Sequence, residues 1–265
     1  MIMVRYLILF FVLVLVLCYP ISGISATQSS VCEKDSSAQL MQVKRVIDAD
    51  TLVLSNGQRV RLIGIDAPEL GRRGKPDEPF AREGTEALRQ KIQQSGNRIW
   101  VQPGVEMYDR YDRLLADLFF EEGRSIQGWL LEQGFAMQVF VAPNLRYADC
   151  LASYEQQAKH RQEGIWSLPE YQSGIPSSAV PNSVQGAVII SGQIVRVGQS
   201  QANVWLNLEG GVAIQIPREA FTQFNLEARK LEGEKVRVRG WIIRDDSRHH
   251  VWRIRIEDPR ALERL

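Results

Sequence analysis

Short runs of strand-like apolar residues follow one another after residue 40, at residues 42–47 and 51–54. Asn56-Gly57 then marks a hairpin turn, and residues 59–65 return as a strand. Alternation in that return sets Val60, Leu62 and Gly64 on one face and Arg59, Arg61, Ile63 and Ile65 on the other. Arg61 thus shares a face with isoleucines and needs a partner or a ligand. Phe80, Gly84, Ala87, Leu88, Lys91 and Ile92 fall at three- and four-residue spacing, which predicts an amphipathic helix. Residues 98–101 and 114–120 are strands. Ile126, Trp129 and Leu130 give a short helix ended by Gly134. Leu145, Ala148, Leu151, Tyr154 and Ala158 give a longer one, stopped at Gly164 with Ile165 and Trp166 behind it. Five short strands and three helices fit an α+β barrel domain over residues 33–167.

Residues 168–185 are rich in Ser, Pro and Gly, lack an apolar period and read as a linker. A second unit of similar grammar occupies residues 186–265. Strands at 186–197, 203–208 and 211–216, a helix at 218–224, then strands at 235–243 and 251–256 follow the order of an oligonucleotide-binding barrel. Alternation over residues 235–239 projects Lys235, Arg237 and Arg239 from one face and sends Val236 and Val238 inside. Trp205, Trp241 and Trp252 lie on or beside these strands. Two readings stand side by side: a single-stranded nucleic-acid surface, or solvated strand faces over core tryptophans.

The ends and the composition narrow the class. Arg5, the apolar run 6–17 and the small or helix-breaking residues Pro20, Ser22, Gly23, Ser25 and Ala26 predict a signal peptide over residues 1–26. The run is shorter than the ~20 residues that span a bilayer comfortably. Export to the periplasm or outside the cell is therefore expected, with no stable membrane association after cleavage. Cys32 and Cys150 would remain, and an oxidising compartment allows them to pair or to stay as two thiols. The net charge of +1 lacks the basic excess of a protein that coats nucleic acid. By segment, residues 33–170 hold 18 Lys+Arg against 21 Asp+Glu, and residues 171–265 hold 13 against 10.

Candidate chemistry is concentrated in Asp48-Ala49-Asp50-Thr51, in residues 61–69 (RLIGIDAPE) and in residues 108–113 (YDRYDR). Carboxylates interleaved with arginines suit a hard cation held beside a phosphate. Arginine offers planar paired donors and keeps its charge, and preset cations lower the barrier to attack on a phosphodiester. A glutamate can serve a water as base. Each residue also has a plain structural reading: Asp48 and Asp50 as turn residues, Arg61 paired with Glu69, Arg113 paired with Asp109 or Asp112. His160, His249 and His250 lack the spacing of a zinc site.

Residues 42–167 resemble the thermonuclease family, that is, the micrococcal or staphylococcal nuclease fold. The resemblance runs in order through VIDADTLVL, RVRLIGIDAPE, KPDEPFAREGTEAL, DRYDRLLADLF, LLEQGFA and AKHRQEGIWS. It implies a five-stranded OB-type barrel with three helices, followed here by a second, smaller OB-like barrel. It also implies a calcium ion ligated by Asp50, Asp66 and the backbone carbonyl of Ala67. Arg61 and Arg113 would contact the scissile phosphate, Glu69 would orient or deprotonate the attacking water, Tyr111 would line the nucleotide wall, and Asp48 would support the metal loop. The implied activity is hydrolysis of DNA and RNA with little sequence preference, leaving 3′-phosphate ends. A shallow barrel groove reaches a splayed strand more easily than a duplex, so single strands are the expected substrate, and a monomer is expected.

Two positions depart from the family pattern. Ala67 stands where threonine is frequent, which a carbonyl ligand tolerates. Asp112 stands where glycine is usual before the arginine. That position calls for positive φ, and Asp112 sets a negative charge beside Arg113. Weaker rate or substrate binding is the expectation. The alternative function is a catalytically weak or inactive nucleic-acid-binding protein on the same fold; a third is an envelope adaptor whose second barrel binds protein or glycan.

Overall fold

In a computed structural model of the chain, residues 32–71, 74–245, 247 and 249–265 are described. The expected signal peptide, residues 1–26, lies outside them. The first unit is built from β1 (Gln39–Asp48), β2 (Thr51–Leu54), β3 (Arg59–Leu62), β4 (Ile65–Asp66), α1 (Ala81–Gln94), β5 (Arg98–Tyr108), β6 (Leu114–Phe120), α2 (Ile126–Glu132), β7 (Met137–Gln138) and α3 (Ala148–Arg161). Five strands close a barrel in the order β1-β2-β3-β6-β5, with β3 and β6 parallel and the other pairs antiparallel. Its interior holds Leu52, Leu54, Val60, Leu62, Ile99 and Leu118, onto which α1 lays Leu88 and Ile92. Cys32 and Cys150 are joined as a disulfide that ties the segment before β1 to α3.

Two strands differ from their expected bounds, for local reasons. The return strand stops at Leu62 instead of reaching residue 65. Gly64 takes a φ of 75° there, a conformation that glycine reaches without strain, and Ile65–Asp66 pairs instead with β7. Conversely, β5 continues past Val101 through Pro103 and Gly104 to Tyr108, with a register shift against β6. Asn144 holds this extension, accepting from the Glu106 N–H at 3.0 Å and donating to the Glu106 carbonyl at 2.9 Å. A Cβ on Gly104 would lie 2.7 Å from the Asn144 Oδ1, so the close approach requires glycine.

After α3 the chain passes through α4 (Pro169–Gln172) and β8 (Ile175–Pro176) into the second unit: β9 (Ala187–Gln199), β10 (Asn203–Leu208), β11 (Val212–Pro217), α5 (Arg218–Phe221), β12 (Lys235–Arg244), β13 (Trp252–Arg255) and β14 (Leu262–Arg264). β9-β10-β11-β13-β12 closes on itself through a β12–β9 pairing, again with one parallel pair, β11–β13. Both barrels thus share one strand order. The stretch expected as a linker carries short structure of its own and touches the second barrel. β8 pairs with Ile190 and Ser191 of β9, and Ser177 is buried.

The cations of β12 also behave differently from a solvent-facing stripe. Val236 and Val238 go inside as expected, but Arg239 reaches across to α3. There its Nη1 donates to both oxygens of Glu155 at 3.0 and 2.9 Å. Glu155 is buried and also accepts from Lys159 Nζ at 2.5 Å and from the Gln138 N–H at 2.7 Å. Burial alone would raise its pKa; Arg239 and Lys159 more than offset this and lower it. Arg237 donates to the Gln172 carbonyl, and Arg260 pairs with Asp149. Met137, Val139, Ala158, Ile165 and Trp166 pack with Ile189 of β9 in a shared apolar cluster. The barrels are therefore joined by a buried ion pair and an apolar seam.

Candidate active site

The site begins at the turn between β1 and β2. Asp48 Oδ1 accepts from the Asp50 N–H at 3.2 Å, the side-chain-to-backbone bond by which aspartate stabilises a tight turn. That turn points the Asp50 carboxylate inward. Its Oδ1 accepts from Thr51 Oγ1 at 2.9 Å and its Oδ2 from the Ala67 N–H at 2.9 Å. The break at Gly64 brings Asp66 back toward β3, where Asp66 Oδ1 accepts from Arg61 Nη2 at 2.5 Å. Arg61 Nη1 lies 2.6 Å from Asp50 Oδ2. In place of the Arg61–Glu69 pair of the plain structural reading, the guanidinium is held between Asp50 and Asp66.

Charge in this pocket is crowded. Asp48 is pushed up to about 7, first by burial and then by the charges of Asp50 and Glu69. Asp66 is also pushed up to about 7: burial raises it, Arg61 opposes, and Asp50 and Glu69 add to the rise. Burial works against the Arg61 cation, yet Asp50, Asp66, Asp48 and Glu69 more than compensate and raise its pKa. Arg61 is only 9% exposed, and Nη1, despite its short approach to Asp50, is not aligned for a hydrogen bond.

The facing wall is the turn before β6. Asp109 organises it: Oδ1 accepts from the N–H groups of Tyr111 and Arg113 at 2.9 and 3.0 Å, and Oδ2 from Arg113 Nε at 2.7 Å. Arg113 pairs with Asp109 and not with Asp112. Burial raises the Asp109 pKa and these bonds outweigh it, so the carboxylate is held below its usual range. Asp112 has φ 57°, the left-handed conformation its position calls for. Tyr111 is 59% exposed, with Arg110 and Arg113 at 4.8 and 5.6 Å from its ring centre. Glu69 is exposed, and its backbone is clamped to Glu78 by an N–H to Oε2 bond of 2.9 Å and an N–H to carbonyl bond of 3.0 Å.

Arg61, Asp66, Ala67, Glu69, Tyr111 and Arg113 all line one cleft of about 1110 Å³, while Asp48 and Asp50 lie beneath its floor, buried. Two elements of the site have no clear signal in the local sequence: the Glu78 clamp on Glu69, and a contribution from the second barrel. Ala187, Trp241, Ile243, Arg253 and Arg255 line the same cleft as Asp66. The first spans nine residues; the second depends on contacts between residues far apart in the chain. His249 and His250 sit away from the cleft, where His250 stacks on Trp205.

A family model described as staphylococcal nuclease homologue matches residues 59–168. The chain is 31% identical over 128 residues to thermonuclease from Staphylococcus intermedius, a match covering 47% of this chain and 74% of that one. With thermonuclease from Staphylococcus hyicus the identity is 26% over 136 residues, covering 50% and 79%. With endonuclease YhcR from Bacillus subtilis it is 30% over 140 residues, covering 47% of this chain and 11% of that much longer protein. All three matches span about half of the chain.

Proposed function

The chain belongs to the staphylococcal nuclease family, and from that premise we propose that it is an exported, calcium-dependent endonuclease. It hydrolyses phosphodiester bonds of DNA and RNA with little sequence preference, favours single strands and acts as a monomer free of the membrane. One observation carries the reading: the Arg61 fork sits between Asp50 and Asp66 at the floor of a cleft that Arg113 and Glu69 also line.

Asp50, Asp66 and the Ala67 carbonyl would hold the calcium ion. Among the described residues no group of three or more His, Cys, Asp or Glu stands in metal-binding geometry. Two carboxylates and a carbonyl fall below that number, and suit a hard cation that keeps several waters. Charge favours the fit, since four carboxylates act on the single guanidinium of Arg61. A bound calcium ion would polarise a phosphate oxygen as a Lewis acid.

The chain's own residues do the rest. Arg61 and Arg113 hold the non-bridging oxygens, where charge builds as the phosphorus is attacked. Glu69 orients a water and takes its proton as the water oxygen bonds to phosphorus. The bond from phosphorus to the 5′ oxygen breaks, that oxygen takes up a proton and leaves as a hydroxyl, and a 3′-phosphate remains. Tyr111 walls the nucleotide, and Asp48 keeps the turn that aims Asp50.

The disulfide supports the export reading, because such bonds persist in oxidising compartments. No helix among the described residues is long and apolar enough to cross a membrane. Product chemistry tests the proposal: 5′-labelled single-stranded DNA and RNA are digested in calcium, and the fragments are treated with a 3′-phosphatase. Fragments that shift in mobility after treatment support the reading; fragments already ending in 3′-hydroxyl overturn the assigned bond.

A further inference from the structure

The second barrel reaches into the cleft at one well-defined place. Ala187, the first residue of β9, lines the cleft together with Asp66. In the β12–β9 ladder Ala187 is paired with Trp241, so the Trp241 backbone lies one strand spacing, about 4.8 Å, from a backbone that lines the cleft beside Asp66. Trp241 is 38% exposed, although indole surface is usually covered in a folded core. Its neighbour on β13 follows from the register: Ile242 pairs with Ile254 and Ile243 with Arg253, so one further step sets Trp241 opposite Arg255. Alternation then puts both side chains on the outer face, since Ile242 and Ile254 point inside. Arg255 is exposed, and its Nε and Nη2 both donate to Glu257 Oε1, which fixes its orientation. Both residues line the cleft that contains Arg61, Glu69 and Arg113.

An aromatic face beside a guanidinium is the pair that binds one nucleotide of a single strand, base on ring and phosphate on cation. A chain whose phosphodiester reaches Arg61 meets β12 and β13 residues in the same cleft, within reach of a neighbouring nucleotide. We propose that Trp241 and Arg255 form the far wall of the nuclease cleft and bind a nucleotide flanking the scissile phosphate, Trp241 by stacking on its base and Arg255 by contacting its phosphate. The assignment rests on the nuclease reading of the first barrel. It makes the second barrel part of the substrate site.

Equilibrium binding of a fluorescent 12-residue oligothymidylate tests this, using the full mature chain in chelator so that no cleavage is needed. Trp241→Ala weakens binding roughly tenfold, the order expected for one stacked base, and Trp241→Phe retains most of it. Arg255→Ala also weakens binding and lowers the slope of log Kd against log salt by about 0.7, the value for one single-strand phosphate contact. Thermal melts equal to wild type show that the variants fold. Unchanged affinity in both alanine variants, or no binding by the wild-type chain, overturns the proposal. The nuclease reading fails separately, by absence of cleavage in calcium, whatever these variants do in chelator.

Discussion

Asp117 shows how burial alone sets the behaviour of a residue outside the site. It sits on β6 with its carboxylate buried and only a 3.3 Å bond from Gln127 Nε2 to Oδ1 for company. Burial pushes it up to about 7, with a small opposing pull from Arg146. A raised folded-state pKa means stability that is complete below the unfolded value near 4 and is lost as pH rises through 7. Asp117→Asn keeps an oxygen for Gln127 and removes that loss. Its melting temperature should exceed wild type by about 5 °C at pH 8 and by less than half of that at pH 4.5. Equal gains at both pH values would contradict the assignment. Asp112 makes the companion case. Its φ of 57° matches the sequence expectation, and its charge lies next in sequence to Arg113. Asp112→Gly should lower KM for single-stranded DNA several-fold; steady-state kinetics that show no gain in KM or turnover would remove Asp112 as a handicap.

At the scale of elements, α3 and β12 depend on one buried interaction. Removing one partner of a buried ion pair costs about 3–5 kcal/mol when the other charge is left unpaired; Lys159 still pairs with Glu155 here, so the low end applies. Arg239→Met should therefore lower the melting temperature by roughly 10 °C. Adding Glu155→Gln should recover part of that loss, a non-additivity that a double-mutant cycle reads directly. A fully additive pair would mean that the contact does not couple the barrels. This interaction also marks where the sequence stops being legible. β2, β6 and β10 have the bounds that their apolar runs predict, since a run between turn residues is a local signal. β3 stops at Leu62, ahead of the Gly64 turn, and β5 passes through Pro103-Gly104 held by Asn144, far along the chain. Likewise the Lys235-Arg237-Arg239 alternation was readable, but the Glu155 that claims Arg239 was not. In the cleft, the acids and arginines of the first barrel are visible as ordered motifs. Ala187, Trp241 and Arg255 carry no motif and become part of it only through the docking of the second barrel.

The whole molecule is expected to behave as one cooperative body. The buried ion pair and the seam around Trp166 and Ile189 link the barrels, and the Cys32–Cys150 bond closes a loop with a sequence separation of 118. In the chain-entropy account a loop of that size stabilises by roughly 4–5 kcal/mol. Calorimetry should show one unfolding transition, moved down by more than about 8 °C in a Cys32→Ser/Cys150→Ser variant; two separated transitions would contradict the coupling. The central claim, however, is chemical: Glu69 and Arg113 act on a phosphodiester in a site that calcium completes. The direct measurement is cleavage of single-stranded DNA and RNA by the mature chain in calcium and in chelator, with Glu69→Gln and Arg113→Ala alongside. The account predicts cleavage in calcium alone, reduced by at least about a hundredfold in each variant. Cleavage that persists in chelator, or that survives either substitution, would contradict it.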